Sequence, residues 1–177
     1  TKALIDGDRA TGLAEMEIGF HFGAQPWGAL QVALLKLQDH PEQAQQAFDL
    51  VDSQNEQPYS TQASKDLARL FLECVKSGPN QKLAQDRVDA ILKTANARER
   101  SSLYYFIGKF CDIRGEADRA LENYTMCVKT APRSTYNWAL AANELSKHKI
   151  DPYVISPPQN AHTATGEETT KPSTQQS

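Results

Sequence analysis

The chain has 177 residues, with 19 Lys and Arg against 22 Asp and Glu, and its mean hydropathy is −0.58. A net charge of −3 sets up no polycationic field, which argues against general nucleic-acid binding, and no apolar run approaches the roughly 20 residues of a membrane span. Three cysteines are too few for a disulfide framework, so a reducing, cytoplasmic setting is the simplest expectation.

Residues 1–23 are the least regular part of the chain, since the first 28 residues hold five of its nine glycines. Asp6-Gly7-Asp8 does not continue into the alternating oxygen ligands and closing Glu of a calcium loop, so it reads as a turn before a helix. The chain opens at Thr1 without Met or a basic-then-apolar leader, which points to a removed leader or a piece of a longer protein.

From Pro26 to Ile150 the apolar residues recur at three and four, the period of an amphipathic helix, and β-branched residues are too scattered for strands. Trp27, Leu30, Ala33/Leu34 and Leu37 form one stripe; Ala44, Ala47/Phe48 and Val51 form the next. Leu67, Leu70/Phe71 and Cys74/Val75 follow, then Leu83/Ala84, Val88 and Ile91/Leu92. The punctuation between stripes matches. His40-Pro41-Glu42 puts Pro in a first turn with a carboxylate at the positive end of the dipole. Ser77-Gly78-Pro79-Asn80 offers a stop and Asn80 as the next N-cap. Asn96 and Glu99 have capping-box spacing, Gly115 marks a turn, and Ala131-Pro132-Arg133-Ser134 stops one helix and caps another.

Residues 151–177 contain four Pro, five Thr and three Ser, and no large apolar side chain after Ile155. Such a segment cannot bury enough surface to offset its ordering entropy, so it is expected to be a disordered tail. The body then carries 18 basic and 19 acidic side chains and is almost balanced. The expected fold class is all-α, with about 7–8 helices joined by short links that force neighbours antiparallel.

Residues 101–134 resemble the tetratricopeptide repeat, a helix–turn–helix unit of 34 residues. The resemblance rests on Tyr104 at the first aromatic position, Ile107-Gly108, Gly115 in the turn, Ala120, Tyr124, Cys127 in the place of a small residue, and the terminal Pro132. Cys111, with Phe110 beside it, stands where an aromatic is usual. Trp138 and Ala142 stand 34 residues after Tyr104 and Gly108, so residues 135–149 look like the first helix of a following unit. Upstream the match fades: residues 64–100 form a degenerate unit, with Ala84 or Ala90 at its close approach, and residues 24–60 form another with Trp27 at the aromatic position. Residues 9–22 fit the second helix of a unit cut short at Thr1. The resemblance implies a right-handed α-solenoid of helix hairpins over residues 24–150.

It also implies a concave face lined by the first helix of each pair. On this chain the matching positions hold Ser102, Tyr105, Lys109, Asp112 and Ile113, then Tyr136, Ala139, Asn143, Ser146 and Lys147. The degenerate unit supplies Lys65, Ala68, Leu72, Val75 and Lys76. From these, Tyr105, Lys109, Asp112, Tyr136, Asn143 and Lys147 are the candidate partner-binding residues. The family's clamp for a C-terminal carboxylate needs Lys and Asn at positions where this chain has Tyr105, Phe106, Ala139 and Leu140, and only Lys109 and Asn143 suit it.

Catalytic patterns are missing from the sequence. It has no phosphate-cradling glycine loop, no HExxH and no CxxC. His21, His40, His148 and His162 are scattered, and Cys74, Cys111 and Cys127 fall on apolar stripes as small hydrophobes. The expectation is a non-catalytic scaffold without cofactor or metal that binds a protein or peptide on its concave face. The alternatives are an accessory helical module of a larger complex or multidomain enzyme, and a self-associating module.

Overall fold

A computed structural model describes residues 26–53 and 61–155, together with Asp8, residues 10–12 and Ala14. Among them every regular element is helical: α1 (Pro26–Asp39), α2 (Pro41–Ser53), α3 (Gln62–Lys76), α4 (Gln85–Thr94), α5 (Ala97–Ile113), α6 (Ala117–Thr130), α7 (Tyr136–Lys147) and the single turn α8 (Pro152–Ile155). No helix among them is long and apolar enough to cross a membrane. The segment expected to be the second helix of a truncated unit, residues 9–22, lies largely outside the described residues. At its start the Asp8 carboxylate accepts the Thr11 N–H at 3.1 Å, as the turn reading requires.

Local chemistry sets the helix ends. Pro41 has no N–H to leave unpaired, so α2 starts one residue after α1, with Glu42 in its first turn. Thr61 caps α3 by accepting from the Ser64 N–H. At α5 the capping box closes: Asn96 Oδ1 accepts the Glu99 N–H at 3.0 Å and Glu99 Oε2 accepts the Asn96 N–H at 3.1 Å. Gly115, at φ 75°, ends α5 in a Schellman turn, with Glu116 N–H donating to the Cys111 carbonyl at 2.9 Å. Helix α7 ends the same way on Lys149, at φ 61°, with Ile150 N–H donating to the Leu145 carbonyl at 3.2 Å.

Two expected caps move. Asn80 does not open α4; the helix starts at Gln85 behind Ala84. Leu83 is buried and its carbonyl is held by Arg119 at 3.0 Å, so residues 81–84 stay outside the helix and Ala84 has extended backbone. Ser134 does not cap α7 either. Thr135 does, because its Oγ1 meets the Trp138 N–H, one residue closer to the first turn.

The core is one continuous cluster from Leu30 to Leu145. Of the expected stripes it holds Leu30, Ala33 and Leu34 on α1, Ala44 and Phe48 on α2, and Leu67, Leu70, Phe71 and Cys74 on α3, while the Trp27 and Val51 side chains lie outside the described residues. A run of rings joins three helices, Phe48 edge-on to Phe71 at 6.1 Å and Phe71 stacked on Phe110 at 4.3 Å. In α4 the close contacts come from Val88 and Ile91, and the expected Ala84 and Ala90 are exposed. Helices α5 and α6 form the most intimate pair, and α7 packs on both. Helix α1 packs on α2, and it also reaches past α3 to touch α5.

Arginines stitch the elements through carbonyl groups. Arg114 Nη2 donates to the carbonyls of Cys74 and Gly78, both at 2.8 Å. Arg100 donates to the carbonyls of Leu92 and Ala95, both at 2.9 Å. Part of the expected tail is ordered. Pro152 is buried, the Tyr153 ring lies 5.2 Å from that of Trp138, and Arg133 sits over the Tyr153 ring while donating to its carbonyl at 3.2 Å. Pro152 and the partly buried Ile155 dock this turn on the core, while Tyr153 and Val154 stay largely exposed. Residues 156–177 lie outside the described residues.

Candidate functional site

The repeat-like packing centres on Gly108, where α5 and α6 meet with the Tyr124 ring lying across the glycine. Ala120, Cys127 and Tyr124 of α6 are buried there, and Trp138, Ala142 and Leu145 of α7 are buried in turn. Of the positions named above, Gly108, Ala120 and Tyr124 meet one another.

The expected partner-binding stripe does not stay on the surface. Tyr105 is 2% exposed and Lys109 is 7% exposed, so neither is presented to a partner. This corrects the sequence expectation, and the cause is tertiary: α1 lies against α5, and the Gln31 amide faces the Tyr105 hydroxyl. Lys109 turns inward to Glu144 Oε1 at 3.4 Å and Asp112 at 3.6 Å. Lys147 is exposed and pairs with the other oxygen of Glu144 at 2.6 Å. Burial pushes the Glu144 carboxyl up, but the two lysines outweigh it and hold the carboxyl below its ordinary value. Asp112, Tyr136 and Asn143 are half-buried. The six candidates thus gather around α5 and α7, but as a polar seam between helices.

That seam is under-satisfied. Gln31 is 3% exposed, and its Oε1 accepts no well-formed hydrogen bond among the described residues. The hydroxyls of Tyr124 and Tyr136 and the Trp138 indole N–H are also buried without such a partner. Each open group of this kind costs about 1–3 kcal/mol. Burial raises the Tyr136 hydroxyl to about 12 and pushes those of Tyr105 and Tyr124 higher still. These phenols are held neutral and are unsuited to proton transfer near neutrality.

The free surface lies at the other end of the same helices. A cleft of about 1110 Å³ opens where α3, α5 and α7 begin and where the α6–α7 link passes. It is lined by hydroxyls and amides, among them Thr61, Ser102, Ser134 and Asn137, with the exposed Arg98 on its wall. Asn137 Nδ2 donates to Ser102 Oγ at 2.6 Å across its floor. Ser102 and Tyr136 are among the sequence-predicted face positions; Arg98 and Asn137 are not, and Ser134 was expected only as a cap, because helix starts from three separate segments meet only in the fold.

No group of three or more His, Cys, Asp or Glu gathers among the described residues. Cys74, Cys111 and Cys127 are buried free thiols, and burial pushes Cys111 and Cys127 up to about 12, far from a reactive thiolate. A scan against protein-family models gave no match, and neither did searches of curated proteins and of solved structures.

Proposed function

We propose that this chain is a non-catalytic protein-interaction module, an α-solenoid of tetratricopeptide type, that binds a peptide or protein segment. The repeat reading is supported by the 101–134 register, in which Gly108, Tyr124 and Cys127 pack as that unit requires. The observation that carries the binding role is the cleft at the starts of α3, α5 and α7. Its hydroxyls and amides offer both donors and acceptors to a peptide backbone, and its size suits a short extended segment.

The test is a labelled-peptide array probed with the full chain, followed by titration of any hit. Ser134→Trp, which fills the cleft from an exposed position, is expected to weaken binding at least tenfold, and the outward-facing Glu122→Ala to leave it unchanged. Equal binding by Ser134→Trp removes the cleft from the reading. An array without a single saturable hit removes the interaction role itself.

A further inference from the structure

We propose that the α5 face is a receiving groove for an amphipathic helix, that α1 is its resident occupant, and that the α1–α2 hairpin lifts as a unit to admit a partner helix of the same chemistry. This rests on the interaction reading above and names the class of its partner.

The first observation is topological. In a stack of hairpins that touch only their neighbours, α1 would meet α3 and stop. Here α1 reaches α5 and covers the face that the tetratricopeptide register leaves open. A helix seated in that groove is therefore a geometry the molecule already shows.

The second observation is chemical. The α1 residue that meets Tyr105 is an amide, Gln31, set inside the apolar run Leu30–Leu35 and buried with its Oε1 unpaired. One turn further along α5 stands the buried Lys109, paired to Glu144. A polar residue in an apolar seam fixes the register of two helices and weakens their union. Leucine at position 31 would make a tighter permanent seal. The seam has the composition of a contact selected to be specific and reversible.

The third observation concerns what moves. Helices α1 and α2 hold each other more closely than α1 holds α5. The larger attachment of the hairpin is α2 on α3, where Phe48 meets the Phe71 ring edge-on and the exposed pair Asp49–Lys76 stands at 3.5 Å. Parting both contacts keeps the α1–α2 pairing intact and uncovers Tyr105. The incoming helix needs the pattern of α1: apolar residues at the places of Leu30, Leu34 and Leu37, and one amide at the place of Gln31 to meet the Tyr105 hydroxyl.

The experiment uses the full chain and a fluorescent peptide with the sequence of residues 26–39. Wild type is expected to bind it saturably. Gln31→Leu in the chain, which seals the seam, should weaken binding about tenfold, and Phe48→Ala, which loosens it, should strengthen binding about tenfold. Hydrogen exchange read by mass spectrometry supplies a measure that needs no peptide: α1 and α2 should exchange ahead of α6, and Gln31→Leu should slow them about tenfold. Exchange of α1 in step with α6, or no effect of Gln31→Leu, overturns the proposal even if Phe48→Ala fails to fold. A Phe48→Ala dimer in light scattering would assign the groove to a second copy and overturn the partner helix. A peptide that binds the polar cleft and is indifferent to Gln31→Leu leaves the interaction reading standing without this inference.

Discussion

At Gly108 an added Cβ would stand 2.8 Å from two ring carbons of Tyr124 and 3.2 Å from the Ala120 carbonyl oxygen. The ring is buried and the oxygen belongs to the α6 backbone, so neither can give way without moving a helix. Alanine is the better helix former by about 1 kcal/mol, yet overpacking of this kind costs about 1–3 kcal/mol. Gly108→Ala is therefore expected to destabilise the chain by up to roughly 2 kcal/mol, read as a lower urea midpoint with an unchanged slope. A stabilised variant would show that the α5–α6 approach is not tight. This glycine was legible from sequence because the 34-residue register singles it out. Gln31 was not legible: one amide among apolar residues looks like an exposed position until α5 is placed over it.

Among the elements, α5 is joined to the end of α3 by a side chain that reaches for backbone. Arg114, in the C-cap of α5, donates to the Cys74 and Gly78 carbonyls and so satisfies acceptors that the end of α3 leaves open. Arg114→Met keeps much of the aliphatic stem and removes both bonds, together with the guanidinium over the Phe110 ring. The expected loss is about 1–3 kcal/mol in denaturant titration, with faster hydrogen exchange at the end of α3. Loss of exchange protection confined to α5 would show that the arginine is not a tie between hairpins. Helix ends defined by local chemistry were legible, as at Pro41, Asn96 and Gly115. The late start of α4 was not, because Leu83 is held by Arg119 from another hairpin.

Over the whole molecule, burial of thiols and phenols sets an alkaline limit. Cys111, Cys127 and Tyr136 hold their protons to about 12 in the folded chain, against 9.0 for a free thiol and 10.0 for a free phenol. The unfolded chain releases those protons first, so their contribution to stability is full below about pH 9 and is lost as pH rises toward 12. The urea midpoint should fall steadily above pH 9, and a thiol reagent at pH 8 should label Cys111 and Cys127 only at the rate of opening. Rapid labelling of the native chain at pH 8 would contradict the burial.

Periodicity and capping chemistry by themselves determined the all-helical class, the α5–α6 hairpin and most helix ends, because each depends on contacts within about a turn or on residues in one register. The sequence did not reveal that α1 closes over Tyr105, that Lys109 turns inward to Glu144, or that the starts of α3, α5 and α7 frame a cleft. Those outcomes depend on the angles at which the helices pack, which sum contacts from residues far apart in the chain. Periodicity shows that a helix has a face to bury, and only the assembled core decides which neighbour covers it.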